Sequence, residues 1–218
     1  MDEQNKTNIY KEKGRLYTLS NYPGFNGFGE GIIVRGKKEY RVFDTERSKL
    51  AAALKKGLSQ TGISQGSKVL YLGASHGYTP SYISDIVGKN GVVFCLDFSP
   101  VVARDLVYIC EQRDNMIPLL ADASNPDSYE DRITKVDVLF QDVAQKDQIG
   151  IFKKNFDKYV GKGGFGLLAL KARSHDIRKK PKQVFKETRK ELDELYNVVD
   201  YRELHPFEKD HALFVVKK

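Results

Sequence analysis

From Ser67 onward, short apolar segments of strand length alternate with amphipathic segments of helical period, and that alternation constrains the fold more than any other feature of the 218 residues. The strand candidates are KVLYLGA, VVFCLDF, MIPLLADA, VDVLFQDV, GGFGLLALKA, NVVDYREL and HALFVVKK. Between them lie the helix candidates TPSYISDIV, SPVVARDLVYICEQR, QIGIFKKNFDKYV and PKQVFKETRKELDELY, the last with Val184, Thr188, Leu192 and Leu195 on one side. The apolar runs lack in-out alternation, so both faces of the strands must be covered. That requires a mostly parallel sheet with helices on both sides. The last two strands follow each other with no helix between them, so one of them must run antiparallel.

Seven strands arranged this way resemble the Rossmann-like class I methyltransferase sheet, an α/β fold spanning residues 48–218. Ahead of it, residues 1–47 break into short strands around the turn-rich SNYPGFNGFGEG and read as a small β-rich N-terminal subdomain. SKLAAALKKGL, rich in helix formers, then opens the larger domain with a helix. No apolar run approaches the ~20 residues of a membrane-spanning helix. The polar start MDEQNKTNIYKEKGR carries no signal-peptide pattern, so a cytoplasmic protein is expected. Cys95 and Cys110 lie in apolar segments without metal-ligand spacing and read as buried free thiols. His76, His175 and His205 show no metal spacing either, so no metal site is expected. The formal net charge of +7 favours a polyanionic partner without identifying one.

In open α/β sheets ligands sit at the carboxyl ends of the strands, so the residues leaving each strand carry the functional information. The first strand ends in LGASHGYTPS, where Gly73 and Gly77 permit a tight turn and close backbone approach. A plain turn needs glycines as well, so they do not decide the matter alone. Asp97 closes the second strand, twenty-four positions after Gly73, where a carboxylate can accept both hydroxyls of an adenosine ribose. Nicotinamide-binding folds use that device too, but they need a G-x-G-x-x-G loop around the pyrophosphate, and Gly73-Ala-Ser-His-Gly77 lacks it. S-adenosylmethionine has no phosphate and needs no such loop. Asp122 leaves the third strand, where it can meet an adenine amino group, or serve only as a turn residue. Asp142 leaves the fourth, where an apolar strand makes an unpartnered carboxylate costly. Lys171 ends the fifth after a fully apolar run. It either snorkels to solvent or, from the adjacent strand, stands beside Asp142 as a base for a hydroxyl.

RSKLAAALKKG, LYLGASHGYTPSYISDIVG, FSPVVARDLVYICEQR, NMIPLLADASNP, VDVLFQDVAQ, GGFGLLALKARSHD and FEKDHALFVVKK together resemble the fibrillarin family, segment by segment and in order, over nearly the whole chain. The lack of a Gly/Arg-rich tail resembles the family's archaeal form. The resemblance implies transfer of a methyl group from S-adenosylmethionine to the ribose 2′-hydroxyl of rRNA and tRNA. It implies a catalytic group of Lys49, Asp142, Lys171 and His211. Cofactor contacts are implied at Gly73, Ala74, Gly77, Tyr78, Thr79, Asp97, Phe98, Asp122, Ala123, Asp142, Val143, Ala144 and Gln145. One departure is visible: the family's first loop reads like GAASGTT, whereas this chain has Ser75, His76 and Tyr78, which bears on the loop's side-chain contacts and not on its backbone role.

The sulfonium methyl is already activated, so the protein must align oxygen, carbon and sulfur and help remove a proton. Either a neutral Lys171 is the base, or Asp142 and Lys171 orient the hydroxyl while its proton leaves late; the residues alone admit both. The basic run Arg173, Arg178, Lys179, Lys180 and Lys182 beside this edge is a candidate RNA-backbone contact, or a solvated loop. No stacked-aromatic module for reading bases is evident, so target choice should come from elsewhere. The family resemblance supplies it: a box C/D guide RNA, a scaffold protein of the Nop5 kind and a kink-turn binder similar to ribosomal protein L7Ae. Two rivals differ in what they need. A small-molecule O-methyltransferase should add a substrate pocket, and a non-catalytic RNA-assembly subunit would lack the acid and lysine of the fourth and fifth strands.

Overall fold

The computed structural model describes residues 7–218, so the first six residues of the expected N-terminal subdomain lie outside the described part. β1 (Ile9–Glu12) and β2 (Arg15–Leu19) form one hairpin, β3 (Ile32–Arg35) and β4 (Lys38–Val42) another. They join as an antiparallel sheet in the order β1-β2-β4-β3. Helix α1 (Lys49–Lys55) follows, capped by Ser48, whose side chain accepts a hydrogen bond from the Ala51 amide at 3.3 Å.

The main sheet then builds through β5 (Lys68–Leu72), α2 (Tyr78–Val87), β6 (Val92–Asp97), α3 (Pro100–Glu111) and β7 (Met116–Leu120). A 3₁₀ turn over Pro126–Arg132 leads to β8 (Val136–Gln141), α4 (Gln148–Tyr159), β9 (Val160–Lys171), α5 (Ala172–His175), α6 (Pro181–Leu195), β10 (Asn197–Glu203) and β11 (His211–Lys217). Prolines in the first turns of α3 and α6 supply helical φ where no amide partner is needed. Asp147 caps α4 by accepting from the Gly150 amide at 3.0 Å.

The seven strands lie in the order β10-β11-β9-β8-β5-β6-β7. β11 is antiparallel to both neighbours, and β9, β8, β5, β6 and β7 pair in parallel. Of the last two strands it is therefore β11 that reverses, and its first residue, His211, falls opposite Lys171 at the end of β9. Two apolar layers cover the faces. One contains Tyr71, Ile83, Cys95 and Leu213 together with Leu16 and Phe43 of the N-terminal segment; the other contains Leu70, Phe152, Leu168 and Phe214. Cys95 and Cys110 are free and buried.

The N-terminal sheet is fastened to α2 by buried charge. The Arg41 guanidinium, on β4, meets Asp85 of α2 at 2.6 Å and Glu30 at 2.5 Å, with no exposed side-chain surface. Asp85 also accepts from Arg113 at 2.9 Å and from Thr18 of β2 at 3.2 Å. Among the described residues, no helix is long and apolar enough to cross a membrane.

Candidate active site at the carboxyl edge of the sheet

The ends of β5, β6 and β8 enclose a cleft of about 280 Å³ lined by Gly73, Ser75, Leu96, Asp97, Phe98, Ala123, Asp142, Val143, Ala144 and Gln145. Its floor depends on Gly73. That residue has φ +82°, and an added Cβ would stand 2.3 Å from the Asp142 carbonyl oxygen. A side chain here would therefore be strained and would also push apart the β5 and β8 loops. The Gly73 and Ala74 amides both donate to the Leu96 carbonyl at 2.9 Å, which ties this loop to β6. Asp97, 8 % exposed, completes the tie by accepting from the Ser75 amide at 2.8 Å and the Ser99 amide at 3.0 Å. Its carboxylate is thus fixed at the cleft wall before any ligand arrives. Phe98 beside it leaves most of its ring exposed, an apolar face at the cleft mouth. Asp122 stands at the rim, its pKa lowered chiefly by the Ser124 backbone hydrogen bond and also by Gln145, a lining residue.

The other loop residues serve the cleft indirectly. Gly77, with φ +87°, is the left-handed start of α2, and an added Cβ would press on Leu106 of α3 at 3.1 Å. Tyr78 turns away from the cleft, lies edge-on to Phe28 at 5.2 Å, and carries the Arg47 guanidinium 4.1 Å above its ring. It lines a separate hollow with those residues and His76. Thr79 donates to the Ser48 hydroxyl at 3.1 Å, so it braces the cap of α1.

That brace matters because the first residue of α1 is Lys49, and its Nζ reaches Asp142 at 3.0 Å. Burial pulls the Lys49 pKa down, but the Asp142 charge and hydrogen bond outweigh it and hold the value above that of an ordinary lysine. His211, 8 % exposed, places Nδ1 2.7 Å from the Lys209 carbonyl oxygen. A carbonyl only accepts, so Nδ1 carries the proton, and in the neutral ring Nε2 has the free lone pair. Burial first and the Lys49 charge second push the His211 pKa below 6.5, against Lys209, Glu208 and Asp142, which raise it. The ring is therefore neutral at pH 7.

The expected pairing of Asp142 with Lys171 takes a different form. Gln141 aligns with Leu168 across β8 and β9, which leaves Lys171 further along the edge, and the partner of Asp142 is Lys49. Lys171 stands opposite His211, where cross-strand Cβ atoms are about 4.5–5.5 Å apart. Gln148 holds the Lys171 backbone, accepting from its amide at 2.9 Å and donating to its carbonyl at 3.1 Å. Among the described residues the Lys171 side chain has no ion-pair partner.

Sequence reasoning did not assign Ser75 and Leu96 of the cleft, nor Tyr71, Gln148 and Glu208. The Tyr71 hydroxyl lies beside Asp142 and Thr79, and burial first and the Asp142 charge second push its pKa well up. Glu208 stands 3.7 Å from His211 Nδ1. The basic run divides. Arg173 pairs with Asp210 at 3.3 Å, Arg178 with Asp176 at 3.2 Å and Lys179 with Glu187 at 2.6 Å, whereas Lys180 and Lys182 line an open groove together with His211. Among the described residues no group of His, Cys, Asp and Glu is placed to hold a metal ion.

This arrangement has counterparts. The Fibrillarin family model matches residues 2–218. A fibrillarin-like rRNA/tRNA 2′-O-methyltransferase of Pyrococcus furiosus is 47% identical over 204 residues, covering 94% of this chain and 90% of that protein. A fibrillarin of Aeropyrum pernix, solved in complex with natively bound S-adenosyl-L-methionine, superposes with a TM-score of 0.85 at 39% identity, over 93% of this chain and 88% of that one. A fibrillarin solved in a complex with Nop5p gives a TM-score of 0.87 at 35% identity, over 97% and 98%. The family model runs from the N-terminal sheet to β11 and both superpositions cover more than nine-tenths of the chain, and on that evidence the chain belongs to the fibrillarin family.

Proposed function

We infer that this chain is an enzyme that transfers a methyl group from S-adenosylmethionine to a ribose 2′-hydroxyl of rRNA or tRNA. The observation that carries the reading is the adjacency of the Asp97 cleft to the Lys49, Asp142 and His211 group, with Asp142 belonging to both. The cleft fits the cofactor on its own geometry. Gly73 keeps a hollow that a Cβ would fill, Asp97 presents a buried carboxylate suited to a ribose, and Phe98 offers an exposed ring to an adenine. When bound, the cofactor supplies an electrophilic methyl carbon on a sulfonium. Ala74, Gly77, Tyr78 and Thr79 support the loop and the neighbouring α1, while Ala123, Val143, Ala144 and Gln145 close the cleft.

The chain's own residues then orient and deprotonate the hydroxyl. Lys49, kept cationic by Asp142, is a poor proton acceptor and instead fixes the carboxylate. His211 is neutral with its lone pair on Nε2, so it takes the hydroxyl proton there, while Lys171, directly opposite, steadies the ribose and its flanking phosphate.

Target choice comes from a box C/D guide RNA held by a Nop5-type scaffold and an L7Ae-type kink-turn binder. Supporting this is the relative solved with Nop5p, together with the physical point that phosphate contacts carry no direct sequence information. The test is single-turnover methyl transfer to a matched RNA, by the chain alone and with scaffold, kink-turn binder and guide, mapping the modified nucleotide. Site-specific transfer only in the full set is expected. One defined ribose methylated by the chain alone at the full rate would refute guidance; no transfer by the full set would refute the chemistry.

A further inference from the structure

A groove of about 540 Å³, with His211 in its lining, opens between the end of α1, the β10–β11 connection and the start of α6. We propose that this groove is the track for the phosphodiester backbone of the substrate strand, with Lys56 and Lys209 as phosphate contacts alongside Lys180 and Lys182. The proposal rests on the reading of the chain as an RNA methyltransferase.

Four observations carry it. First, Lys56, Lys180, Lys182 and Lys209 come from three separate segments yet converge on one concavity. Second, among the described residues none of the four side chains has a hydrogen-bond or ion-pair partner, whereas Arg173, Arg178 and Lys179 of the same region are each tied to a carboxylate. Third, Asp210 is neutralised by Arg173, and Glu203, which accepts only from the neutral Tyr201 hydroxyl at 3.1 Å, is a single carboxylate against four unpaired lysines. The groove therefore has an uncompensated positive field, which a polyanion satisfies. Fourth, the groove is lined in part by the buried His211 ring, whose Nε2 has no partner among the described residues. A strand lying in it brings its own ribose to that nitrogen, which selects the strand that carries the hydroxyl over the guide strand. The chemistry recognised is a row of phosphates; Phe185, at 4 % exposed, offers little surface on which a base can stack.

The experiment uses the full chain and a fluorescent single-stranded RNA, with affinity measured across a salt series. Each phosphate contact contributes about 0.7 to the slope of log affinity against log salt for single strands, so Lys56→Ala with Lys209→Ala should flatten the slope by roughly 1.4. The paired control, Arg178→Ala with Lys179→Ala, should leave it near wild type. Both variants should keep wild-type affinity for S-adenosylmethionine, which reports an intact fold. An unchanged slope in the groove variant, or equal flattening in both variants, would overturn the assignment. Replacing the phosphates flanking the target ribose by neutral methylphosphonates, in the substrate strand and separately in the guide, distinguishes the strands. Loss of the Lys56 and Lys209 effect only with the modified substrate is expected, and loss only with the modified guide would overturn the choice of strand. Methyl transfer by the wild-type assembly is measured alongside. Its absence would refute the enzymatic reading while the slopes still report the groove.

Discussion

Asp97 and Asp142 both leave apolar strands at the same edge, and their partners give them different tasks. Asp97 is held by two backbone amides and faces the cleft; Asp142 is held by a lysine from α1, lines the same cleft and lies near His211. Asp97→Ala should weaken S-adenosylmethionine by about 1.5–3 kcal/mol, the range for hydrogen bonds to a charged group. Titration calorimetry reads this directly, and unchanged affinity in a folded variant would remove Asp97 from the site. Under the proposed mechanism the active form of His211 is the neutral one. Its folded pKa lies below 6.5, so the single-turnover rate should hold at neutral pH and fall as pH drops through that lowered value. His211→Gln should cost about 10²–10⁴ in rate and abolish that limb. A pH profile identical to wild type would show that another group accepts the proton. The same shift sets a stability trend: the unfolded chain takes up the proton first, so His211 lowers stability as pH falls from 6.5 toward the folded value. The acids at the strand ends were legible in the sequence because each interrupts an apolar run. The Lys49–Asp142 ion pair was not legible in the residues themselves, since its members are 93 residues apart and no local pattern links them; only the family resemblance grouped the two.

At the scale of elements, every main-sheet strand could be read from the sequence, because runs such as VLFQ and LLAL have no helical face and no polar alternation. The N-terminal sheet was legible as strands and turns, but its attachment was not. In KEYRV, Arg41 reads as an outward charge on an exposed strand, and only the arrival of Asp85 and Glu30 makes it a fully buried ion. Arg41→Ala leaves Glu30 buried without a cation and Asp85 with Arg113 alone, and should cost about 3–5 kcal/mol in urea unfolding. A change below ~1 kcal/mol would mean that Arg113 alone suffices to hold Asp85. The brace from Thr79 to Ser48 was hidden for the same reason. Threonine at the start of a helix reads as an end signal for its own helix, yet here its hydroxyl serves the cap of α1 and, through it, the place of Lys49. Ser48→Ala should cost about 0.5–2 kcal/mol of stability. Methyl transfer should fall further than cofactor affinity, a split that parallel rate and calorimetric measurements would reveal.

For the whole molecule, the net charge of +7 and the unpaired lysines of the open groove set a positive field, and under the proposed function that field meets RNA phosphates without reading sequence. Encounter of the chain alone with RNA should accordingly be salt-sensitive, losing roughly tens of fold in affinity between about 50 and 200 mM salt for four phosphate contacts. Methylation by the guided assembly should lose less, because tethering replaces encounter with a local concentration. Equal salt dependence in the two settings would argue against a tethered enzyme. The reversed strand β11 has a further consequence, for the order in which the molecule is made. β11 lies between β9 and β10 and opens with His211. A ribosome delivers residues in sequence, so β10 emerges before the strand that separates it from β9. Until residues 211–217 follow, the nascent sheet lacks an interior strand and the edge lacks His211, the proposed proton acceptor. Completion of the fold and completion of the active site are therefore one event, and a chain released before residue 211 has neither.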